Sequence, residues 1–231
     1  FKNTIESLEK SSEILDRVSS VFGCLNGANT NDELQSISAK IEPLKARHYD
    51  DIHLNQKLFS KIDWLYKEKA SLNLSPEEIT LLDNYYLRFV RRGANLDDKD
   101  KEKLRSINQE LSDLYVKFDQ NHLQQTNAIG LIIEKRADLA GLPEEVVQAA
   151  AELASARGLK GKWAFSLQRP SFTPFLVYSE KRELREILYK AYINRCNNDD
   201  AHDNKKIISR IASLRVSKAK LLGYQSHADY T

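Results

Sequence analysis

The sequence predicts a mainly α protein: an antiparallel helical bundle carrying a small two- to three-stranded β insertion at about residues 130–178. Three observations predict it. Apolar residues recur at three- and four-residue steps through most of the 231 residues, helix start and stop signals punctuate those stripes, and the period shortens only in the stretch from Gly130 to Tyr178. The segments divide as 1–125, a helical bundle; 126–178, a mixed α/β segment; and 179–231, helices leading on from it.

The first half reads as five helices. Ile5, Leu8, Leu15, Val18, Phe22 and Leu25 form the first stripe, which breaks at Asn26-Gly27-Ala28-Asn29. Thr30 is positioned as an N-cap, with Glu33 three residues on, and Leu34, Ile37, Ile41 and Leu44 follow. A third stripe, Leu58, Ile62 and Leu65, ends before Asn73. Ser75-Pro76-Glu77-Glu78 is the clearest start, because serine caps, proline suits the first turn and Glu78 can complete a capping box. Ile79, Leu82, Tyr86 and Phe89 supply its face, and Gly93 stands where a helix stops. Asp97 or Asp98 opens the longest helix, through Leu104, Ile107, Leu111, Leu114 and Phe118. Short loops predict that neighbours pack antiparallel.

Gly130–Glu134 is short and rich in β-branched residues, and reads as a strand. Leu142-Pro143-Glu144-Glu145 starts a helix to about Arg157. Gly158 and Gly161 bracket a turn before a second strand, Lys162–Gln168, and Pro170 and Pro174 point to a third extended piece, Phe175–Tyr178. Helices return at about Glu180–Asn194 and Asp203–Leu222. Ser226 caps a last helix that has barely begun at Thr231, which reads as a cut chain; the lack of any Met likewise reads as a missing start.

Composition excludes several classes. With 35 basic and 33 acidic residues interspersed, the net charge of +2 gives no footprint for nucleic acid or an acidic membrane. No apolar run approaches the ~20 residues of a membrane span. Cys24 and Cys196 form no C-x-x-C pair and no disulfide framework.

The search for chemistry yields little. The histidines are His48, His53, His122, His202 and His227; no two are four apart and none precedes Glu, so the helical zinc motif H-E-x-x-H is absent. His48 and His53, around Tyr49-Asp50-Asp51-Ile52, would lie on different faces of a helix and converge only in a loop; a polar connection is the simpler reading. Cys196 with His202 six residues on could form a nucleophile and base, but Asn197-Asn198-Asp199-Asp200 reads better as a solvated loop. Trp163, Phe165, Phe172, Phe175 and Tyr178 could line a groove, although strand alternation favours core packing. Arg91-Arg92 offsets a helix dipole. No residue is assigned a catalytic, metal-binding or substrate-binding role.

Several runs nevertheless share one pattern: Phe1-Lys2-Asn3-Thr4-Ile5-Glu6-Ser7-Leu8-Glu9, Phe89-Val90-Arg91-Arg92-Gly93-Ala94-Asn95-Leu96, Leu221-Leu222-Gly223-Tyr224 and His227-Ala228-Asp229-Tyr230. The most specific is Lys162-Trp163-Ala164-Phe165-Ser166-Leu167-Gln168-Arg169-Pro170-Ser171, followed by Ala191-Tyr192-Ile193-Asn194-Arg195-Cys196. Together they resemble the N-terminal part of the zinc metallopeptidases that include thimet oligopeptidase, oligopeptidase A and, nearest in the Trp163 run, bacterial peptidyl-dipeptidase. The resemblance implies a two-lobed channel enzyme that admits short peptides, with zinc held by residues beyond Thr231, and a chain that forms one channel wall, is inactive alone and lacks its catalytic half as partner. It further implies exposed apolar surface where that half would pack, any dimer being an artefact of truncation, and a cytoplasmic address. The alternative is a stand-alone helical binding or scaffold module.

Overall fold

The computed structural model describes residues 1–231. Eleven α-helices and one two-stranded antiparallel sheet follow in the order α1 (Ser7–Ser11), α2 (Glu13–Ala28), α3 (Asp32–His53), α4 (Gln56–Lys67), α5 (Pro76–Arg91), α6 (Asp98–Asn127), β1 (Ile129–Ile133), α7 (Glu144–Ala156), β2 (Trp163–Ser166), α8 (Arg169–Tyr178), α9 (Arg182–Ile193), α10 (Lys205–Leu221) and α11 (His227–Tyr230). The mainly α class with a small β insertion is what the apolar periods predict. The chain forms two compact units, one of residues 1–116 with 210–231 and one of residues 117–209.

The core of the first unit joins Ile5, Phe59, Ile62, Leu65, Leu82, Tyr85, Phe89 and Ala94. Local chemistry fixes the ends of the helix at its centre. Ser75 accepts from the Glu78 amide and Glu78 returns the bond to the Ser75 amide, closing the predicted capping box at the start of α5. At its other end Gly93, at φ +93°, lets its own amide bond Val90 and the Ala94 amide bond Phe89, so two orphan carbonyls are satisfied. Tyr85 buries its ring and donates its hydroxyl to Glu9 at 2.6 Å, tying α1 to α5.

Several boundaries differ from the sequence reading. The first stripe forms two helices, α1 and α2, parted at Ser12, and α2 runs on through Asn26-Gly27-Ala28 to end before Asn29. The cap of α3 is Asn31, not Thr30: the Asn31 side chain accepts from the Leu34 amide, while Thr30 is taken up by a bond to Asn26. Asparagine caps at least as well as threonine, and the turn gives Thr30 another partner. The His48–His53 stretch is not a connection but the last turns of α3, where residues five apart point different ways.

The second unit is built on the β1–β2 pair, in register Leu131–Phe165, Ile132–Ala164 and Ile133–Trp163, with an irregularity between Ile129 and Leu131. Gly130 sits there because a Cβ would meet Leu167 at 2.4 Å and Leu188 at 2.8 Å. The predicted third strand is absent. Residues 169–178 form α8, with Pro170 in its first turn, where proline lacks no needed amide. The helical turn puts Phe172 and Phe175 together on the core of Leu131, Ile133, Val147, Phe165 and Leu188, an arrangement that alternating strand geometry would split between two faces. Phe165 and Phe175 meet at 4.5 Å between ring centroids. The loop before α10 is pinned by buried Asn204, which accepts from Asn121 and donates to the Phe118 carbonyl.

Candidate functional site

A cleft of about 610 Å³ in the first unit, lined by α3, α6, α10 and α11, gathers several polar and charged side chains. α3 presents Lys45, Tyr49 and Asp50, α6 presents Asn108 and Tyr115, α10 presents Arg215 and Lys218, and α11 presents His227 and Tyr230, with Arg92 at the rim. Lysine and arginine spaced three apart on one helix share a face, which is why Arg215 and Lys218 enter the cleft together.

At its floor runs a relay of polar groups. Lys218 Nζ donates to Asn108 Oδ1 at 2.7 Å, and Asn108 Nδ2 donates to Asp50 Oδ1 at 2.8 Å. Burial pushes the Asp50 carboxyl up from its ordinary value, against the Asn108 hydrogen bond and the nearby Lys218, Arg105 and Arg92 charges that pull it down. Burial likewise lowers Lys218, opposed by Asp50 and assisted by Arg92. At the walls, Lys45 pairs with Glu42 at 3.0 Å, and Arg215 donates to the Tyr115 hydroxyl at 2.9 Å while lying over its ring. Arg91 donates to the Tyr230 carbonyl and stacks on the Tyr230 ring. That role of Arg91 goes beyond offsetting a helix dipole. The His227 Nδ1 is buried with no hydrogen-bond partner.

These groups can orient a polar chain by hydrogen bonds and cationic charge. They do not assemble a bond-breaking set, because no thiol or hydroxyl in the cleft is paired to a base. Nor do the residues present fit a zinc ion: nowhere do three His, Cys, Asp or Glu side chains gather as ligands. His53 is buried and its Nδ1–H donates to the Tyr49 carbonyl at 2.7 Å, whereas His48 is exposed on another face of the helix.

The other sequence candidates separate. Cys196 is buried, its carbonyl accepts from the Asn204 amide, and burial raises its thiol, the reverse of an activated nucleophile. The His202 amide bonds Asp200 in a polar turn. Phe165, Phe172 and Phe175 are core residues, Trp163 is half-buried and Tyr178 is exposed. The Asp50–Asn108–Lys218 relay is what sequence reading missed. Its members lie on three helices, and no spacing or motif links them.

The sequence profile described as Peptidase family M3 matches residues 175–231. The chain is 38% identical over 228 residues, 99% of its length, to the dipeptidyl carboxypeptidase of Escherichia coli strain K12. It is 31% identical over 99% of its length to the oligopeptidase A of Haemophilus influenzae, and 26% identical over 99% to the oligopeptidase A of Escherichia coli strain K12. In each case it spans 34% of the relative's own length.

Proposed function

We propose that this chain, which belongs to peptidase family M3, supplies one wall of the substrate channel in a zinc-dependent oligopeptidase that removes dipeptides from the carboxyl end of short peptides. The observation that carries this reading is the match to dipeptidyl carboxypeptidase along 99% of the chain but over 34% of that relative's length. On this reading the wall supplies shape and polar contacts, and the bond-breaking residues and the zinc belong to the rest of the parent. On this reading H-E-x-x-H, which these residues lack, belongs to the rest of the parent. The cleft between α3, α6 and α10 is the part of this wall best equipped to hold polar peptide. The cytoplasm is the compartment we propose, on the family resemblance alone. Separately, no helix is long and apolar enough to cross a membrane.

The test is hydrolysis of an N-blocked tetrapeptide, with zinc added, by the full-length product of the gene and by this chain. The expected result is C-terminal dipeptide release by the full-length protein and none by the chain. Chelator-sensitive turnover by the chain alone would overturn the reading and make His48 and His53 the first residues to replace. Failure of the full-length protein to cleave any blocked peptide would overturn it as well.

A further inference from the structure

We propose that exposed apolar seams on α2 and α3 are the docking surface for helices of the parent protein that lie outside these 231 residues. The inference rests on reading the chain as one section of a longer peptidase, and it names where the remainder attaches.

Helix α2 carries one broad apolar stripe with two edges. Leu15 and Phe22 lie on one and are half-buried. Ile14, Val18, Val21 and Leu25 lie about 80° around the helix from them, given 3.6 residues per turn, and are 55% to 77% exposed. No residue from Val18 to Ala28 is charged, so the uncovered face has no solvating groups over its last three turns. An apolar stripe of this width is built to be covered, yet α2 has no fully buried residue. Helix α3 repeats the pattern with Ile37, Ile41 and Leu44, all exposed.

The spacing identifies the kind of occupant. Ile14, Val18, Val21 and Leu25 step by four, three and four, and Ile37, Ile41 and Leu44 by four and three. Steps of three and four residues keep an apolar seam facing a neighbouring helix; a strand or an extended peptide matches side chains at a period of two. The source follows from length. The dipeptidyl carboxypeptidase match covers 99% of this chain and 34% of the relative, so most of a parent of that size lies elsewhere and is available to supply such helices.

The test compares amide hydrogen exchange in α2 and α3 between this chain and the full-length protein, with molar mass by light scattering at low and high micromolar chain. The expected result is a monomeric chain in which α2 and α3 exchange at least about tenfold faster than in the full-length protein. Val18→Asp and Leu44→Asp are expected to leave the melting of the chain nearly unchanged, because both side chains are about 60% exposed, and to remove that protection in the full-length protein. Equal exchange in the two proteins would overturn the proposal. A concentration-dependent dimer of the full-length protein, seen by the same light scattering and abolished by Val18→Asp, would also overturn it and assign the seams to a second copy. Peptide turnover is a separate readout: protection of α2 and α3 in a full-length protein without peptidase activity would sink the peptidase reading and leave the docking surface standing.

Discussion

Lys218 reaches Asp50 through an amide rather than directly: its Nζ donates to the Asn108 side-chain carbonyl at 2.7 Å, and the Asn108 amide donates to Asp50 at 2.8 Å. The asparagine satisfies both charged groups at once. Removing it leaves a partly buried ammonium and a partly buried carboxylate without their bridge. Asn108→Leu is therefore expected to cost about 1–3 kcal/mol, measured by urea unfolding. A neutral result would show that water replaces the amide at no cost.

His53 gives the chain a pH dependence of known sign. Burial first, then the Arg92 charge, lower it from 6.5 to about 4, against the raising effect of its bond to Tyr49. As pH falls below 6.5 the unfolded chain takes up a proton that the folded chain refuses until about 4. Stability is thus fully present above pH 6.5 and lost across that window, by roughly 3 kcal/mol. His53→Gln can still donate to the Tyr49 carbonyl but does not titrate. Its unfolding free energy should be nearly flat between pH 6.5 and 4.5, and a slope matching the parent chain's would show that other groups set it.

Glycines at two places should respond to alanine with opposite sign. At Gly93, φ is +93° and a Cβ would meet Leu104 at 2.5 Å, so Gly93→Ala should destabilise by about 2–4 kcal/mol. Gly23 and Gly27 lie inside α2 with nothing within 4 Å of an added Cβ. Gly23→Ala and Gly27→Ala should each stabilise by about 0.5–1 kcal/mol through reduced freedom of the unfolded chain and better helix propensity. Thermal melts of the three variants decide the matter.

Phe175 tests the helical assignment of 169–178. It is fully buried against Phe165, whereas Val177 two residues on is 65% exposed. Phe175→Ala should cost about 3–5 kcal/mol and Val177→Ala no more than about 0.5 kcal/mol. Comparable losses at both would favour an extended segment, in which residues two apart share one covered face.

The sequence by itself determined the helices, because apolar spacing and capping are local: Ser75 with Glu78, Gly93, and Ser226 with Asp229 close their ends as their residue types require. It also placed both strands to within a residue or two. Tertiary structure decided what local chemistry leaves open. Pro170 is compatible with extended chain or with a helix start, and burial of Phe172 and Phe175 on Phe165 selects the helix even with Pro174 inside it. Asp50, Asn108 and Lys218 are ordinary surface residues in their own helices and become one polar relay only when α3, α6 and α10 bring them within hydrogen-bond reach. Apolar periodicity marked Val18 and Ile41 as residues to be covered, and only the fold shows that within these 231 residues Val18 stays 60% and Ile41 40% exposed.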